Sequence, residues 1–219
     1  MNPLRILIAD DHEVVRRGVR VLLEEQPDWH VCAEAVDGRE AVETAKRERP
    51  DIAVLDIGMP GLNGLDAARQ IRKELPECEV LILTLHESEQ VVREVLSVGA
   101  RGYVLKSDAG RDLIDAVEAL RQHKPFFASR VADLLLHGYL KDGEASPTPR
   151  RTPASPLTPR QREIVQLLAE GKSNKEVATI LGISVKTAET HRTNIMRALD
   201  FHSMSELVRY AVRNRLIEP

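Results

Sequence analysis

Three aspartates, one threonine and one lysine in the first half of the chain stand at the ends of short apolar runs. They are Asp10, Asp11, Asp56, Thr84 and Lys106. If the runs are parallel strands, their carboxyl ends meet at one sheet edge, where open α/β sheets bind ligands. Neighbouring aspartates repel one another unless a cation intervenes, and oxygen ligands favour a hard divalent ion such as Mg²⁺. The set therefore indicates phosphoryl transfer to an aspartate, with metal and lysine neutralising the phosphoryl oxygens.

Five short apolar runs must supply the strands that bring these residues together. The runs are Leu4–Ala9, His30–Val36, Ile52–Ile57, Val80–Leu85 and Gly102–Leu105. Continuous apolar runs are typical of strands buried on both faces of a parallel sheet. The segments between them carry apolar residues at helical spacing, so strands and helices alternate as βαβ units. We therefore predict an α/β fold for residues 1–124: a (βα)5 flavodoxin-like domain with a five-stranded parallel sheet.

The rest of the chain is predicted to be helical, apart from one linker. Residues 125–156 are expected to hold an extra helix near Ser129–Leu140, followed by a proline-rich linker over 142–156 that cannot bury a core. From Leu157 onward the apolar spacing is helical, and capping signals precede the helices. Helices are predicted near 159–170, 174–181, 185–199 and 204–214. Residues 157–219 are thus predicted to form a small all-α helix-turn-helix domain.

Charge is distributed unevenly along the 219 residues, whose net charge is −3. Residues 1–124 hold 17 Lys/Arg against 24 Asp/Glu (−7), and residues 150–219 hold 12 against 7 (+5). The basic end suits a polyanion such as DNA, although a solvated surface would explain +5 almost as well. The apolar stretch Leu4–Ala9 is too short for a signal peptide or membrane span, and two cysteines without ligand spacing fit a reducing compartment. We expect a cytoplasmic protein without a membrane partner.

Four separated motifs of the first half resemble the signature of response-regulator receiver domains. In chain order they are Ile8–His12, Asp56–Gly64, Leu83–Thr84 and Tyr103–Lys106. The resemblance implies that Asp56 is the phosphoacceptor, that Lys106 pairs with the phosphoryl group and that Thr84 hydrogen-bonds it. Tyr103 would be the aromatic switch residue, whose ring moves inward when Thr84 does. One departure is Ser107, which stands where many receivers have a proline after the lysine.

The same resemblance implies a magnesium site. Asp11, the carboxylate of Asp56 and the backbone carbonyl of Gly58 would ligate Mg²⁺, and Asp10 would act mainly through water. His12 is expected to be a polar neighbour of the pocket rather than a ligand.

Residues 157–219 resemble the LuxR-type helix-turn-helix of NarL/FixJ regulators. The motifs that carry this resemblance are Leu157–Glu163, Gly171–Ala178 and Leu181–Ile195. A recognition helix that starts at Ser184 would point its amides at a backbone phosphate, while its basic residues contact further phosphates. Glu189, Thr190 and Thr193 share one face, where base edges would be read. The predicted DNA-binding residues are Ser184, Lys186, Thr187, Glu189, Thr190, Arg192, Thr193, Asn194 and Arg197.

Together the two resemblances predict a two-component response regulator rather than an enzyme. A sensor histidine kinase would phosphorylate Asp56, and the resulting change would switch sequence-specific DNA binding and transcription. A homodimer on paired half-sites is the expected phosphorylated form, and RNA polymerase is a candidate further partner.

Two other functions compete with this prediction. A haloacid-dehalogenase-type phosphatase would also use a catalytic aspartate on such a sheet, but it needs a second aspartate two residues later, where this chain has Gly58. A constitutive DNA-binding protein with an unused pocket is the other alternative. Labelling with a small phosphodonor would separate both alternatives from the leading prediction.

Overall fold

The computed structural model describes residues 3–127 and 157–217, which form two compact units. The N-terminal unit is an α/β sandwich and the C-terminal unit is helical. The helix predicted near Ser129–Leu140 and the linker predicted over 142–156 lie outside the described residues.

A parallel sheet with helices on both faces makes up the N-terminal unit. Its strands are β1 Leu4–Ala9, β2 Trp29–Ala35, β3 Ile52–Leu55, β4 Glu79–Thr84, β5 Gly102–Leu105 and β6 Phe126–Phe127. Its helices are α1 Glu13–Glu24, α2 Gly38–Glu48, α3 Gly64–Glu74, α4 Glu89–Ser97 and α5 Ala109–Arg121. The strands are ordered β2-β1-β3-β4-β5-β6, and every neighbouring pair is parallel.

The sheet has six strands, so the prediction of five is wrong. After α5 the chain turns at His123, whose φ is 54°, and runs back along β5. The Phe126 amide donates to the carbonyl of Arg101 at 2.9 Å, and Phe126 pairs with Gly102. A strand of two residues directly after Pro125 is too short to produce an apolar pattern, which is why the sequence did not reveal it.

Both faces of the sheet are buried. Side chains of Ile6, Val54 and Leu81 pack with α1 and α5 in one core. The alternate residues, such as Leu7 and Leu55, are equally buried on the opposite face. Because both faces are covered, the strands have continuous apolar sequences, and the fold class predicted from those sequences is confirmed. Because these neighbouring strands are parallel, the carboxyl ends of β1, β3, β4 and β5 lie along one edge.

Four short helices build the C-terminal unit around a core of its own. They are α6 Pro159–Ala169, α7 Asn174–Leu181, α8 Val185–Ala198 and α9 Met204–Arg213. Reciprocal capping boxes start α6, α7 and α9, and Ser184 caps α8 by accepting from the Thr187 amide at 3.0 Å. Gly182, with φ 62°, ends α7 and allows the tight turn into α8. The predicted helices agree with these bounds to within one residue.

Candidate functional site

An acidic pocket lies at the carboxyl edge of the sheet. Asp10 follows β1, Asp56 follows β3 and Lys106 follows β5. The Lys106 ammonium is 2.8 Å from Asp10 Oδ2 and 3.0 Å from Asp56 Oδ2. Ligand atoms of Asp10, Asp11, His12 and Asp56 all lie within 4.8 Å of one another. Of the five residues that the sequence predicted to meet at this edge, the three aspartates and Lys106 are therefore close together.

Burial controls the electrostatics of the pocket. Only 2% of Asp10 and 3% of Asp56 is exposed. Desolvation raises the pKa of Asp56 to about 6, against the opposing effect of the Lys106 charge and with a further contribution from Asp10. Burial works against the charge of Lys106, but hydrogen bonds to Asp10 and Asp56 and their negative charges raise its pKa. The ammonium therefore stays charged, and Asp56 is largely ionised at neutral pH.

The loop after Asp56 is held against the pocket by backbone contacts. The Gly64 amide donates to the carbonyl of Ile57 at 3.0 Å, and Asn63 caps α3 by accepting from the Asp66 amide. A Cβ atom on Gly64 would lie 1.8 Å from the Asp56 carbonyl oxygen, so only glycine permits this approach. Gly58 lies in the same loop, two residues after Asp56. Sequence reasoning had placed Gly64 in a motif without finding this steric role.

The loop between β1 and α1 is held by a residue that the sequence analysis did not single out. Arg16 donates from Nη1 to the carbonyl of Asp10 at 2.8 Å, and its Nε lies 3.3 Å from Glu34 Oε2. The His12 amide donates to Asp10 Oδ1 at 2.8 Å, and His12 Nδ1 lies 2.8 Å from Asp11 Oδ1. The arginine contacts a backbone carbonyl six residues earlier, so no side-chain spacing in the sequence predicts this contact.

The two predicted switch residues meet at the backbone of His86. The Thr84 hydroxyl accepts from the His86 amide at 3.2 Å, and the Tyr103 hydroxyl donates to the His86 carbonyl. Tyr103 is only 1% exposed, so its ring is buried. His86 thus contributes backbone groups that link Thr84 to Tyr103.

The donor set fits a hard divalent cation. Three carboxylates supply oxygen ligands, two of them buried, and oxygen is the ligand that Mg²⁺ prefers. His12 adds a nitrogen at the rim, where 59% of its side chain is exposed. The pocket is therefore compatible with Mg²⁺.

The second candidate surface is the outer face of α8. All but one of the nine predicted DNA-binding residues are exposed, and Arg192 is half-buried. Seven of them line one concave surface, together with Asn174 and Met196. The other two, Ser184 and Thr187, form the cap at the start of the helix. The structure thus places all nine along one helix.

Charges on this face remain solvated. Lys186 is 87% exposed and lies 3.9 Å from Glu189, a weak surface pair. The hydroxyls of Thr190 and Thr193 are instead bonded to the helix backbone, to the carbonyls of Lys186 at 2.8 Å and Glu189 at 3.0 Å. The face therefore combines solvated charges with threonines whose hydroxyl protons are donated to backbone carbonyls.

Comparison with known proteins identifies both units. The model of the response regulator receiver domain matches residues 6–118, and that of the LuxR family of bacterial regulatory proteins matches 155–211. The transcriptional regulatory protein LiaR of Bacillus subtilis is 38% identical over 214 residues, 98% of this chain and 99% of LiaR. The oxygen regulatory protein NreC of Staphylococcus haemolyticus is 37% identical over 216 residues, 98% of this chain and all of NreC.

Among solved structures, the RcsB response regulator of Salmonella typhimurium is similar, with a TM-score of 0.59 and 28% identity over 97% of this chain and all of that one. Further structures show an RcsB–DNA complex (TM-score 0.59, 27% identity) and two RcsB dimers bound to two parallel DNAs (TM-score 0.58, 26% identity). Each of these covers 95% of this chain and 98% of the matched chain.

The chain belongs to the response regulators that join a receiver domain to a LuxR-type DNA-binding domain. The resemblance predicted from its motifs is confirmed, and its relatives are transcriptional regulators. None of the helices within the described residues has the length and apolar character that crossing a bilayer requires.

Proposed function

We propose that Asp56 accepts a phosphoryl group from the phosphohistidine of a sensor kinase and that this modification controls DNA binding by α8. The observation that carries the proposal is the placement of Asp56. Its carboxylate is buried, 3.0 Å from the Lys106 ammonium, and within 4.8 Å of the other carboxylates. A nucleophile, a cation for the phosphoryl oxygens and ligands for a metal thus share one pocket.

Asp11, Asp56 and the carbonyl of Gly58 would hold Mg²⁺, with Asp10 contributing through water. When bound, the ion would neutralise the negative charge of the transferred phosphoryl group. Lys106 supplies a second positive charge from the protein itself. His12 Nδ1 lies 2.8 Å from Asp11 Oδ1 and so can orient that carboxylate.

In the transfer, an ionised Asp56 oxygen attacks phosphorus while the phosphorus–nitrogen bond of the phosphohistidine breaks. With its pKa at about 6, the carboxylate is mostly ionised at neutral pH and therefore nucleophilic. Lys106 then pairs with the phosphoryl oxygens and stabilises the aspartyl phosphate.

A phosphoryl group on Asp56 would accept the proton of the Thr84 hydroxyl, and the reorientation of that hydroxyl would disturb the hydrogen bond that it accepts from the His86 amide. Tyr103 bonds the same residue, so the rearrangement of Thr84 shifts the balance between two states of the His86 backbone. Dimerisation on paired half-sites is the proposed output, supported by the RcsB dimers on DNA. RNA polymerase is a proposed further partner. The proposed compartment is the cytoplasm, where a protein that binds bacterial DNA works.

The competing functions are less well supported. A phosphatase of the haloacid-dehalogenase type lacks its second aspartate here, because Gly58 occupies that position. We therefore propose that the chain does not hydrolyse foreign phosphoesters. A constitutive DNA-binding protein would have no need for a buried lysine shared by two aspartates.

Labelling with acetyl phosphate tests the proposal. The wild-type protein should gain one phosphoryl group by intact mass, and Asp56→Asn should gain none. Asp115→Asn, which changes an exposed aspartate of α5, serves as the matched control and should label normally. Labelling that survives in Asp56→Asn contradicts the phosphoacceptor assignment. Labelling that leaves DNA affinity unchanged would favour the constitutive alternative.

A further inference from the structure

Two threonines of α8 have already used their hydroxyl protons. Thr190 donates to the Lys186 carbonyl at 2.8 Å, and Thr193 donates to the Glu189 carbonyl at 3.0 Å. A hydroxyl carries a single proton, so neither has a donor left for a base edge. Because each hydroxyl is turned onto the helix backbone, the γ-methyl group of each threonine is left as the outward-facing group.

The two methyl groups belong to the same surface. Thr190 and Thr193 are both exposed and both line the concave surface of α8. Residues three apart on a helix are neighbours, with Cβ atoms about 5–6 Å apart. Thr187 differs, since it forms part of the cap with Ser184 and is not among the residues that line this surface. The helix thus carries one pair of adjacent methyl groups on its DNA-facing side.

In the major groove, the 5-methyl group of thymine is the feature that an apolar side-chain group can recognise. We infer that Thr190 and Thr193 read thymine through their methyl groups, so each half-site contains two thymines that contact them. Base pairs are stacked about 3.4 Å apart, so side chains whose Cβ atoms are about 5–6 Å apart span one to two steps. The inference rests on the proposed role of α8 as the recognition helix and specifies the bases that it reads.

Hydroxyl readout is the opposing hypothesis, and it predicts the reverse outcome for two simple variants. Serine keeps the hydroxyl and loses the methyl group. Valine keeps the methyl group and has a second methyl group in place of the hydroxyl, so the β-branched shape is preserved. Methyl readout therefore survives Thr190→Val and Thr193→Val but not Thr190→Ser and Thr193→Ser.

The experiment uses the full chain, labelled with acetyl phosphate, and a preferred duplex selected from a random-sequence DNA pool. Each thymine of that duplex is then replaced by deoxyuridine, which removes only the 5-methyl group. We expect affinity to fall about three- to fivefold at two thymines in each half-site, the effect of one buried methyl-sized group. The Ser variants should bind the thymine duplex about as weakly as the wild type binds the uracil duplex, and they should no longer distinguish the two.

Thr179 provides the matched control. It lies on α7, is exposed, and bonds its hydroxyl to the Lys175 carbonyl at 3.0 Å in the same manner. Thr179→Ser should leave the preference for thymine over uracil unchanged.

Three results would overturn the inference. They are equal binding of thymine and uracil duplexes by the wild type, an unchanged preference in both Ser variants, or loss of the preference in the Val variants. In each case DNA binding itself remains, so the proposed function stands. Failure to select any duplex would instead contradict the proposed role of α8, and the thymine inference with it.

Discussion

The acidic pocket and the outer face of α8 use charge in opposite ways. In the pocket, Asp10 and Asp56 are nearly inaccessible and Lys106 is 10% exposed, so each charge depends on the others. On α8, Lys186 is 87% exposed and its one pair, with Glu189, is long. Desolvation makes the pocket interactions strong and geometrically demanding, whereas the helix face keeps charges that water screens.

This difference sets the expected response to substitution. Groups that share one buried network respond together, so a single change in the pocket should remove most of its function. Solvated groups on a helix contribute almost independently, and each change there should cost little. Three further predictions test the contrast, beginning with the largest effect.

Gly64→Ala should have the largest effect, although it touches no charged group. A Cβ atom would lie 1.8 Å from the Asp56 carbonyl oxygen, so the backbone of the pocket must move. A displacement of about 1 Å can reduce a rate about a hundredfold, and we expect that loss in labelling by acetyl phosphate. The free energy of unfolding should fall by about 3 kcal/mol, measured from the fluorescence of Trp29, the only tryptophan in the chain.

Gly110→Ala is the matched control for this substitution. No atom lies within 4 Å of a Cβ at Gly110, which is part of α5, and alanine favours helices. This variant should label normally and be slightly more stable. If Gly64→Ala also labels at the wild-type rate, the pocket tolerates displacement and the contrast with α8 is lost.

Asp56→Asn should stabilise the receiver domain at neutral pH when divalent cations are absent. Burial raises the pKa of Asp56 from 3.8 in the unfolded chain to about 6, so ionisation opposes folding. The destabilisation is fully present above pH about 6 and vanishes as the pH falls towards 3.8. Unfolding followed by Trp29 fluorescence should therefore show Asp56→Asn more stable by up to about 3 kcal/mol at pH 8, with the difference shrinking on acidification.

In the DNA-binding domain, ionisation of one carboxylate stabilises the fold instead of destabilising it. Hydrogen bonds from the Ser173 backbone and side chain lower the pKa of Glu176, which is exposed in the capping box of α7. Its ionised form favours folding, and that contribution is lost as the pH falls through its lowered pKa. A wild-type receiver that is more stable than Asp56→Asn at pH 8 would contradict the role assigned to burial.

Parts of this contrast were predictable from the sequence and others were not. The pocket followed from residue types at strand ends, because the edge of a parallel sheet gathers them. The contact of Arg16 with the Asp10 carbonyl and the approach of Gly64 to Asp56 depend on the paths of two loops, which apolar periodicity does not specify. The orientation of Thr190 also required coordinates, since a sequence does not reveal which carbonyl its hydroxyl bonds.

Lys186→Ala should have the smallest effect of the three. Lys186 lines the concave surface and projects into solvent, where it would neutralise one phosphate. DNA affinity should fall only a few-fold, equally for preferred and random duplexes, because phosphate contacts carry no sequence information. In a plot of log affinity against log salt concentration, the slope should become about 0.9 less steep, the value for one released counterion. Arg209→Ala on α9, a cation outside that surface, should leave the slope unchanged. A loss confined to the preferred duplex would mean that Lys186 contacts a base, and that α8 depends on precise geometry as the pocket does.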